Sequence, residues 1–105
     1  MFIARWNIDV RFGQKDQFLA VMRKWQAEVG DKIGWTKPTI RLVTGSIGAN
    51  ESRLEYEVRV ESLEKLEKAW AQLGTFPYHK QFGKELEPLI VSGSNHWTVY
   101  RALEL

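Results

Sequence analysis

The chain has 105 residues, and its 15 basic and 13 acidic side chains leave a net charge of only +2 at pH 7. This length suits one domain, residues 1–105, with a single hydrophobic core. The charges alternate in sign along the chain, so there is no basic patch of the kind that binds nucleic acid. The absence of cysteine excludes disulfides, thiolate catalysis and cysteine-ligated metal centres.

The sequence also argues against a membrane protein. No apolar run approaches the roughly 20 residues that span a bilayer. Arg5 and Asp9 interrupt the N-terminal segment before it forms the apolar part of a signal peptide. We therefore expect a cytoplasmic protein without membrane partners, and a chain without cysteine is compatible with that reducing compartment.

A strand followed by a helix is predicted at the start of the chain. Residues 2–10 alternate with period two, which is typical of a half-buried strand, and one face carries Phe2, Ala4, Trp6, Ile8 and Val10. After Gly13, large apolar residues recur at intervals of four, three and four, namely Phe18, Met22, Trp25 and Val29. This spacing predicts one buried helix face, and Gly30 is the expected end of the helix.

The middle of the chain predicts two strands joined by a hairpin loop. The strands cover residues 39–44 and 53–61, and the Gly- and Asn-containing segment 45–50 is typical of a turn. The second of these strands alternates cleanly. Its apolar face carries Leu54, Tyr56, Val58 and Val60, and its charged face carries Arg53, Glu55, Glu57, Arg59 and Glu61.

Two helices and a final strand complete the pattern. Ser62 is a suitable N-cap for a helix that ends at Gly74 and buries Leu63, Leu66, Trp70 and Leu73. A short helix is expected from about Pro77 to Glu87, and a last strand from about His96 to Leu103. The order is βαββαβ with one additional helix. It predicts an α+β, ferredoxin-like antiparallel sheet with the helices on one face and strands one and three in the centre.

The other face of this sheet is expected to be charged. Arg5 on the first strand would meet Glu55 or Glu57 on the third, and such opposite pairs stabilise a sheet by roughly 0.2–1 kcal/mol each. This face is either solvated or stacked against the same face of a second copy, where its charges must be paired. The interface candidates are Arg5, Asn7, Arg41, Glu55, Glu57 and Arg59.

Several segments together resemble the dimeric α/β-barrel superfamily, and most closely its NIPSNAP-like and antibiotic-biosynthesis-monooxygenase-like groups. They are Phe12-Gly13 before Phe18, Gly48-Ala49-Asn50, Glu55-Tyr56-Glu57-Val58, Glu61-Ser62-Leu63 with Trp70, and Pro88 to Ser94 before Trp97-Thr98-Val99-Tyr100-Arg101. The resemblance implies a homodimer that forms a barrel from two sheets. Any small-molecule site would lie between the sheet and the helices of each subunit. The activities known in the superfamily include cofactor-independent oxygenation, haem degradation and isomerisation.

The two histidines, His79 and His96, lack the spacing of a metal site, so no metal is expected. Haem-degrading relatives use an asparagine on strand one, a tryptophan on helix two and a later histidine, and Asn7, Trp70 and His79 occur in that order. In that arrangement the asparagine must face the helices. The alternation of strand one, however, turns Asn7 to the opposite face and puts Trp6 on the helix side. The sequence therefore predicts no haem and no other cofactor, and a haem-binding or haem-degrading protein is the lesser alternative.

The leading hypothesis is a homodimer that binds a small, partly apolar molecule between sheet and helices. The pocket candidates are Trp6, Tyr56, Trp70, His79 and Phe82, and His79 is the one weak catalytic candidate. Whether the chain is an enzyme stays open: a cofactor-independent oxygenase and a non-catalytic binder fit equally. The alternative is a structural or interaction module whose five tryptophans fill the core. An open cavity of several hundred cubic ångströms would distinguish the two.

Overall fold

Four strands and three helices make up the fold. A computed structural model of the chain describes all 105 residues. In chain order the elements are β1 (Phe2–Asp9), α1 (Lys15–Glu28), β2 (Ile40–Thr44), β3 (Arg53–Val60), α2 (Leu63–Leu73), α3 (Pro77–Leu86) and β4 (His96–Arg101). Short 3₁₀ turns cover Gly30–Ile33, Lys37–Thr39 and Glu87–Leu89. The predicted order is confirmed, although β4 is two residues shorter than expected.

The strands form one antiparallel sheet in the order β2-β3-β1-β4. The two strands that the crossover rule places in the centre, β1 and β3, are the central pair. Their register sets Trp6 opposite Tyr56 on β3 and Trp97 on β4, and it sets Arg5 opposite Glu57. The fold is thus the predicted α+β, ferredoxin-like arrangement.

The core lies between the sheet and the helices. The strands contribute alternate residues such as Ala4, Ile8, Leu54 and Val58, and α1 contributes Phe18, Met22 and Trp25. On α2 the buried residues are Leu66, Ala69 and Leu73. The prediction that Leu63 belongs to this stripe is wrong: it is 49 % exposed. It occupies the first helical position, before the turn that reaches the core, and Ala69 lies on the buried stripe instead.

The segment after α3 runs beside β1 before β4 begins. Val10 forms a bridge with Ile90, and the Val91 amide donates to the Asp9 carbonyl at 2.8 Å. The hydroxyl of Ser94 accepts a hydrogen bond from the Asp9 amide at 3.1 Å. These bonds fix residues 90–95 at one end of the space between sheet and helices.

Local interactions fix the entry to α2 and the β2–β3 loop. The Ser62 side chain accepts a hydrogen bond from the Lys65 amide at 3.2 Å, which confirms the predicted N-cap. In the loop, a Cβ atom at position 45 would lie 1.8 Å from the Asn50 carbonyl oxygen, so only Gly45 fits there. No helix of the structure is both long enough and apolar enough to cross a bilayer.

Candidate functional site

A cavity of about 370 Å³ lies between the sheet and the helices. Ten of its thirteen lining residues are hydrophobic, and none of the thirteen carries a formal charge when histidine is neutral. The sheet supplies Trp6, Tyr56 and Trp97, and the helices supply Met22, Trp25, Leu73, His79, Phe82, Gly83 and Leu86. The connecting segments supply Trp35, Ile90 and Asn95. This composition suits an apolar or aromatic ligand.

Trp25 is the centre of the aromatic wall. Its ring centroid lies 5.6 Å from those of Tyr56 and Phe82 and 6.2 Å from that of Trp35. These separations are within the range in which aromatic rings attract one another beyond simple burial. Trp6 extends the wall, since its ring lies 6.2 Å from that of Phe82. The rings of Trp6, Trp25, Trp35, Tyr56 and Phe82 therefore form one connected set of aromatic contacts around the cavity.

The indole N–H of Trp25 donates a hydrogen bond to Nδ1 of His79 at 3.1 Å. An indole nitrogen can only donate, so Nδ1 must be the unprotonated acceptor of a neutral imidazole whose proton is on Nε2. Burial lowers the pKa of His79 below its usual value, which favours this neutral form at pH 7. His79 lines the cavity and keeps one N–H donor, at Nε2, that makes no hydrogen bond within the protein, while its one acceptor nitrogen is already used.

Gln26 on α1 connects two other residues of the wall, Tyr56 and Trp35, by hydrogen bonds. The Tyr56 hydroxyl donates to Gln26 Oε1 at 2.6 Å, and Gln26 Nε2 donates to Asp31 Oδ1 at 2.7 Å and to the Trp35 carbonyl at 2.5 Å. Burial, with a contribution from the Asp31 charge, raises the pKa of Tyr56, so its phenol stays neutral. A Cβ atom at Gly30 would lie 2.8 Å from Gln26 Nε2, so glycine leaves room for this arrangement.

Four of the five predicted pocket residues line this one cavity: Trp6, Tyr56, His79 and Phe82. Trp70 does not. It packs edge-on against Trp97 with ring centroids 5.4 Å apart, and its indole N–H is buried without a hydrogen-bond partner.

Sequence reasoning missed Trp25, Trp35 and Trp97 as lining residues and missed Gln26 as their support. The helical stripe marked Trp25 as buried, but it gave no sign of which buried residues border a cavity.

The opposite face of the sheet carries a compact ionic cluster around Glu57. Glu57 is only 5 % exposed, and its carboxylate binds Arg5 Nη2 at 2.9 Å and Arg41 Nε at 2.6 Å. Arg5 also approaches Glu55 at 3.5 Å. Burial alone would raise the pKa of Glu57, but the hydrogen bonds and charges of Arg41 and Arg5 outweigh it and hold the pKa below its usual value. Asn7, also buried on this face, donates to the Thr98 hydroxyl at 3.1 Å.

The remaining predicted interface residue, Arg59, lies on the same face but outside the cluster around Glu57. Its guanidinium donates to the carbonyl of Pro38. A second ion pair joins Arg53 Nε to Asp9 Oδ1 at 2.8 Å, from β3 to β1. Each acidic group that the central strands present on this face is therefore paired within the subunit.

No protein-family model matches the chain, and a search of the curated proteins found no match. Solved structures are similar in fold. A NIPSNAP-family protein from Agrobacterium tumefaciens superposes with a TM-score of 0.80 at 16% identity, over 98% of this chain and 86% of that one. A NIPSNAP-like protein from Burkholderia xenovorans superposes with a TM-score of 0.78 at 17% identity, over 97% of this chain and 84% of that one. An antibiotic biosynthesis monooxygenase-like protein from Caulobacter crescentus superposes with a TM-score of 0.67 at 19% identity, over 98% of this chain and 90% of that one.

The chain has a NIPSNAP-like fold. The resemblance stated from its sequence motifs is thereby confirmed at the level of architecture. At this level of identity a shared fold does not establish a shared activity, because unrelated sites occur on the same scaffold. The function of this chain therefore depends on the residues of its own cavity.

The residues of this chain do not fit the haem-degrading arrangement. Asn7 lies on the ionic face of the sheet, Trp70 lies outside the cavity wall, and only His79 borders the cavity. No group of three or more His, Asp or Glu side chains is close enough together to hold a metal ion. His96, at the start of β4, contacts the Ser94 carbonyl instead.

Proposed function

We propose that the chain is a homodimeric protein that binds a small, partly apolar molecule in the cavity between its sheet and helices. The observation that carries this proposal is the open, aromatic-walled space of about 370 Å³. Ligand pockets commonly measure about 300–1,000 Å³ and combine apolar walls with a few polar groups. A module stabilised by a solidly filled core has no reason to keep such a volume, so the structural alternative is less well supported.

Binding is better supported than catalysis. Cofactor-independent oxygenation, which the resemblance to monooxygenase-like proteins implies, needs a base to ionise the substrate. The acceptor nitrogen of His79 is occupied by the Trp25 N–H, and the Tyr56 hydroxyl is occupied by Gln26. The wall therefore contains polar groups that orient a ligand, but no unoccupied side-chain base.

A large side chain introduced on α3, where it would fill the cavity, tests the proposed ligand binding. Gly83 lines the cavity, and a Cβ atom added there meets no other atom within 4 Å. We expect Gly83→Phe to fold normally, because glycine is a poor residue inside a helix, and to weaken binding of the aromatic ketone 1-tetralone at least tenfold. Titration followed by NMR, on the indole N–H signals of Trp25 and Trp35, measures this affinity.

The matched control is Gly83→Ala, which should stabilise the fold by about 0.5–1 kcal/mol through helix propensity and leave most of the cavity open. Its affinity for 1-tetralone is expected to stay within about twofold of the original, since a single methyl group removes little of the space. Equal binding by Gly83→Phe and Gly83→Ala would place the ligand elsewhere and refute the proposed site.

The dimer is proposed to form through the ionic face of the sheet. Burying a charge is costly unless it is paired, and the acidic groups of the central strands on this face are already paired within one subunit. The positive and negative charges on this face nearly cancel, so two copies would not repel each other strongly. The face carries four arginines and three acidic residues, namely Arg5, Arg41, Arg53, Arg59, Asp9, Glu55 and Glu57. Val43 and Tyr100 add exposed apolar surface. A two-fold dimer brings such a patch against itself.

Two neighbouring residues of β2 allow a matched test of the dimer. Val43 lies on the ionic face and Leu42 on the helix side, and they are 40 % and 37 % exposed. At micromolar concentration, light scattering should give twice the 12.2 kDa chain mass for the original protein and for Leu42→Asp. Val43→Asp should be monomeric, because the new carboxylate would lie directly opposite Glu55 and would lose its hydration in the interface. A monomer before any substitution, or a dimer unaffected by Val43→Asp, would refute this interface.

A further inference from the structure

Trp25 and His79 form a fixed donor–acceptor pair in the cavity wall, and this pair limits the ligands that the cavity can take. We infer that the cavity selects a neutral molecule that presents a hydrogen-bond acceptor, such as a ketone oxygen, to Nε2–H of His79. This inference rests on the proposed binding function and gives it a ligand class. It also makes Trp25 a positioning residue that acts through His79.

The orientation of His79 follows from the chemistry of its partner. The Trp25 N–H has no acceptor form, so it can bind only the Nδ1 lone pair, at 3.1 Å. The two ring nitrogens of imidazole lie on different sides of the ring, so the N–H of Nε2 is directed away from Trp25. The ring itself stacks against Phe82, at 6.2 Å between centroids and 29° between planes. Both contacts restrict rotation of the imidazole.

The other polar groups of the wall leave this donor as the main point of recognition. The Tyr56 hydroxyl is bonded to Gln26. Asn95 is exposed at the edge of the cavity, where water can satisfy its amide. A ligand that covers His79 without offering an acceptor leaves the N–H desolvated and unpaired, which is unfavourable.

The charge of the ligand is limited by the same wall. None of the thirteen lining residues is Asp, Glu, Lys or Arg. An ionised ligand would therefore lose its hydration without gaining a countercharge, whereas a neutral ketone loses little and gains one hydrogen bond. Neutral acceptors are consequently favoured over carboxylates and amines of similar size.

The test compares 1-tetralone with tetralin, the hydrocarbon of the same shape that lacks the ketone oxygen. The readout is the ratio of their dissociation constants, which removes differences in general hydrophobicity between protein variants. We expect His79→Phe to bind tetralin normally but to shift the ratio against the ketone by roughly five- to tenfold, the effect of one net hydrogen bond. Circular dichroism checks that the variant is folded.

The positioning role of Trp25 is tested by Trp25→Phe, with Trp35→Phe as the matched control. Both substitutions keep an aromatic wall residue, but only Trp25 donates to His79. The ¹⁵N shifts of the imidazole should show an unprotonated Nδ1 and a protonated Nε2 in the original protein and in Trp35→Phe. In Trp25→Phe the two tautomers should mix, and the ketone preference should fall.

The outcomes separate this inference from the function on which it rests. If the original protein binds neither compound, the binding function fails and the ligand class fails with it. If it binds both compounds and the ratio is unchanged in His79→Phe, the cavity binds ligands but the inference is overturned. A protonated Nδ1 in the original protein would also overturn it.

Discussion

Replacing Trp25 by alanine is expected to lower the free energy of unfolding by about 3–5 kcal/mol, the usual cost of truncating a large buried aromatic residue. Trp25 is 4 % exposed and contacts Trp35, Tyr56 and Phe82. Its removal enlarges a space that already exists, so the neighbouring rings lose partners without being able to close the gap. Urea denaturation at pH 7, followed by circular dichroism, measures the change.

Trp25→Phe separates packing from hydrogen bonding at this position. Phenylalanine retains most of the ring contacts but loses the N–H that binds His79, so a cost of about 1–2 kcal/mol is expected. A loss below about 1 kcal/mol for Trp25→Ala would contradict the view that Trp25 organises the aromatic wall. Equal losses for the alanine and phenylalanine variants would mean that the hydrogen bond, and not the ring contacts, provides the stability.

The second large effect is expected at Glu57 on the ionic face. In Glu57→Gln, Arg5 and Arg41 lose their shared carboxylate, and the free energy of unfolding should fall by about 1–3 kcal/mol. The arginines are partly exposed, which lets them return to water and keeps the cost below that of a fully buried pair. The control is Glu55→Gln, which loses one longer contact at 3.5 Å and should change stability by less than about 1 kcal/mol.

The effect of Glu57 should depend on pH in a defined direction. The pKa of Glu57 in the folded state is lower than the usual carboxyl value of 4.5. At pH values between the folded-state pKa and 4.5, the unfolded chain therefore binds more protons than the folded chain. The stabilisation is therefore complete above about pH 4.5 and is lost as the pH falls through the folded-state pKa. The difference between the original protein and Glu57→Gln should shrink over this range. A constant difference down to strongly acidic pH would contradict the ion-pair explanation.

Protein concentration separates the two ways in which Glu57 could act. If the ionic face is the dimer interface, its substitution also weakens association, and the measured stability then varies with protein concentration. Denaturation at two concentrations tenfold apart isolates the contribution made within one subunit. The Arg5–Glu57–Arg41 cluster is intramolecular, so a loss of stability should persist at the lower concentration.

Much of the architecture could be predicted from local patterns. Side chains alternate strictly along a strand, so apolar residues such as Trp6 and Tyr56 marked the helix side and Arg5 and Glu57 marked the other. The order of strands and helices then restricted the topology, because crossover connections are right-handed. Leu63 was misplaced because a helical stripe does not show where along the helix contact with the sheet begins.

The sequence by itself determined the order of the elements, the two faces of the sheet and the absence of cysteine chemistry, because each of these follows from residue identity and short-range spacing. Only the tertiary structure decided which buried residues border an open cavity. Trp25 and His79 are 54 residues apart, and their hydrogen bond depends on how α1 and α3 pack on the sheet. The same packing brings Trp35 into the wall, leaves Trp70 outside it and makes Gln26 its support. Periodicity reports which face of an element is buried, but not how closely three elements approach one another.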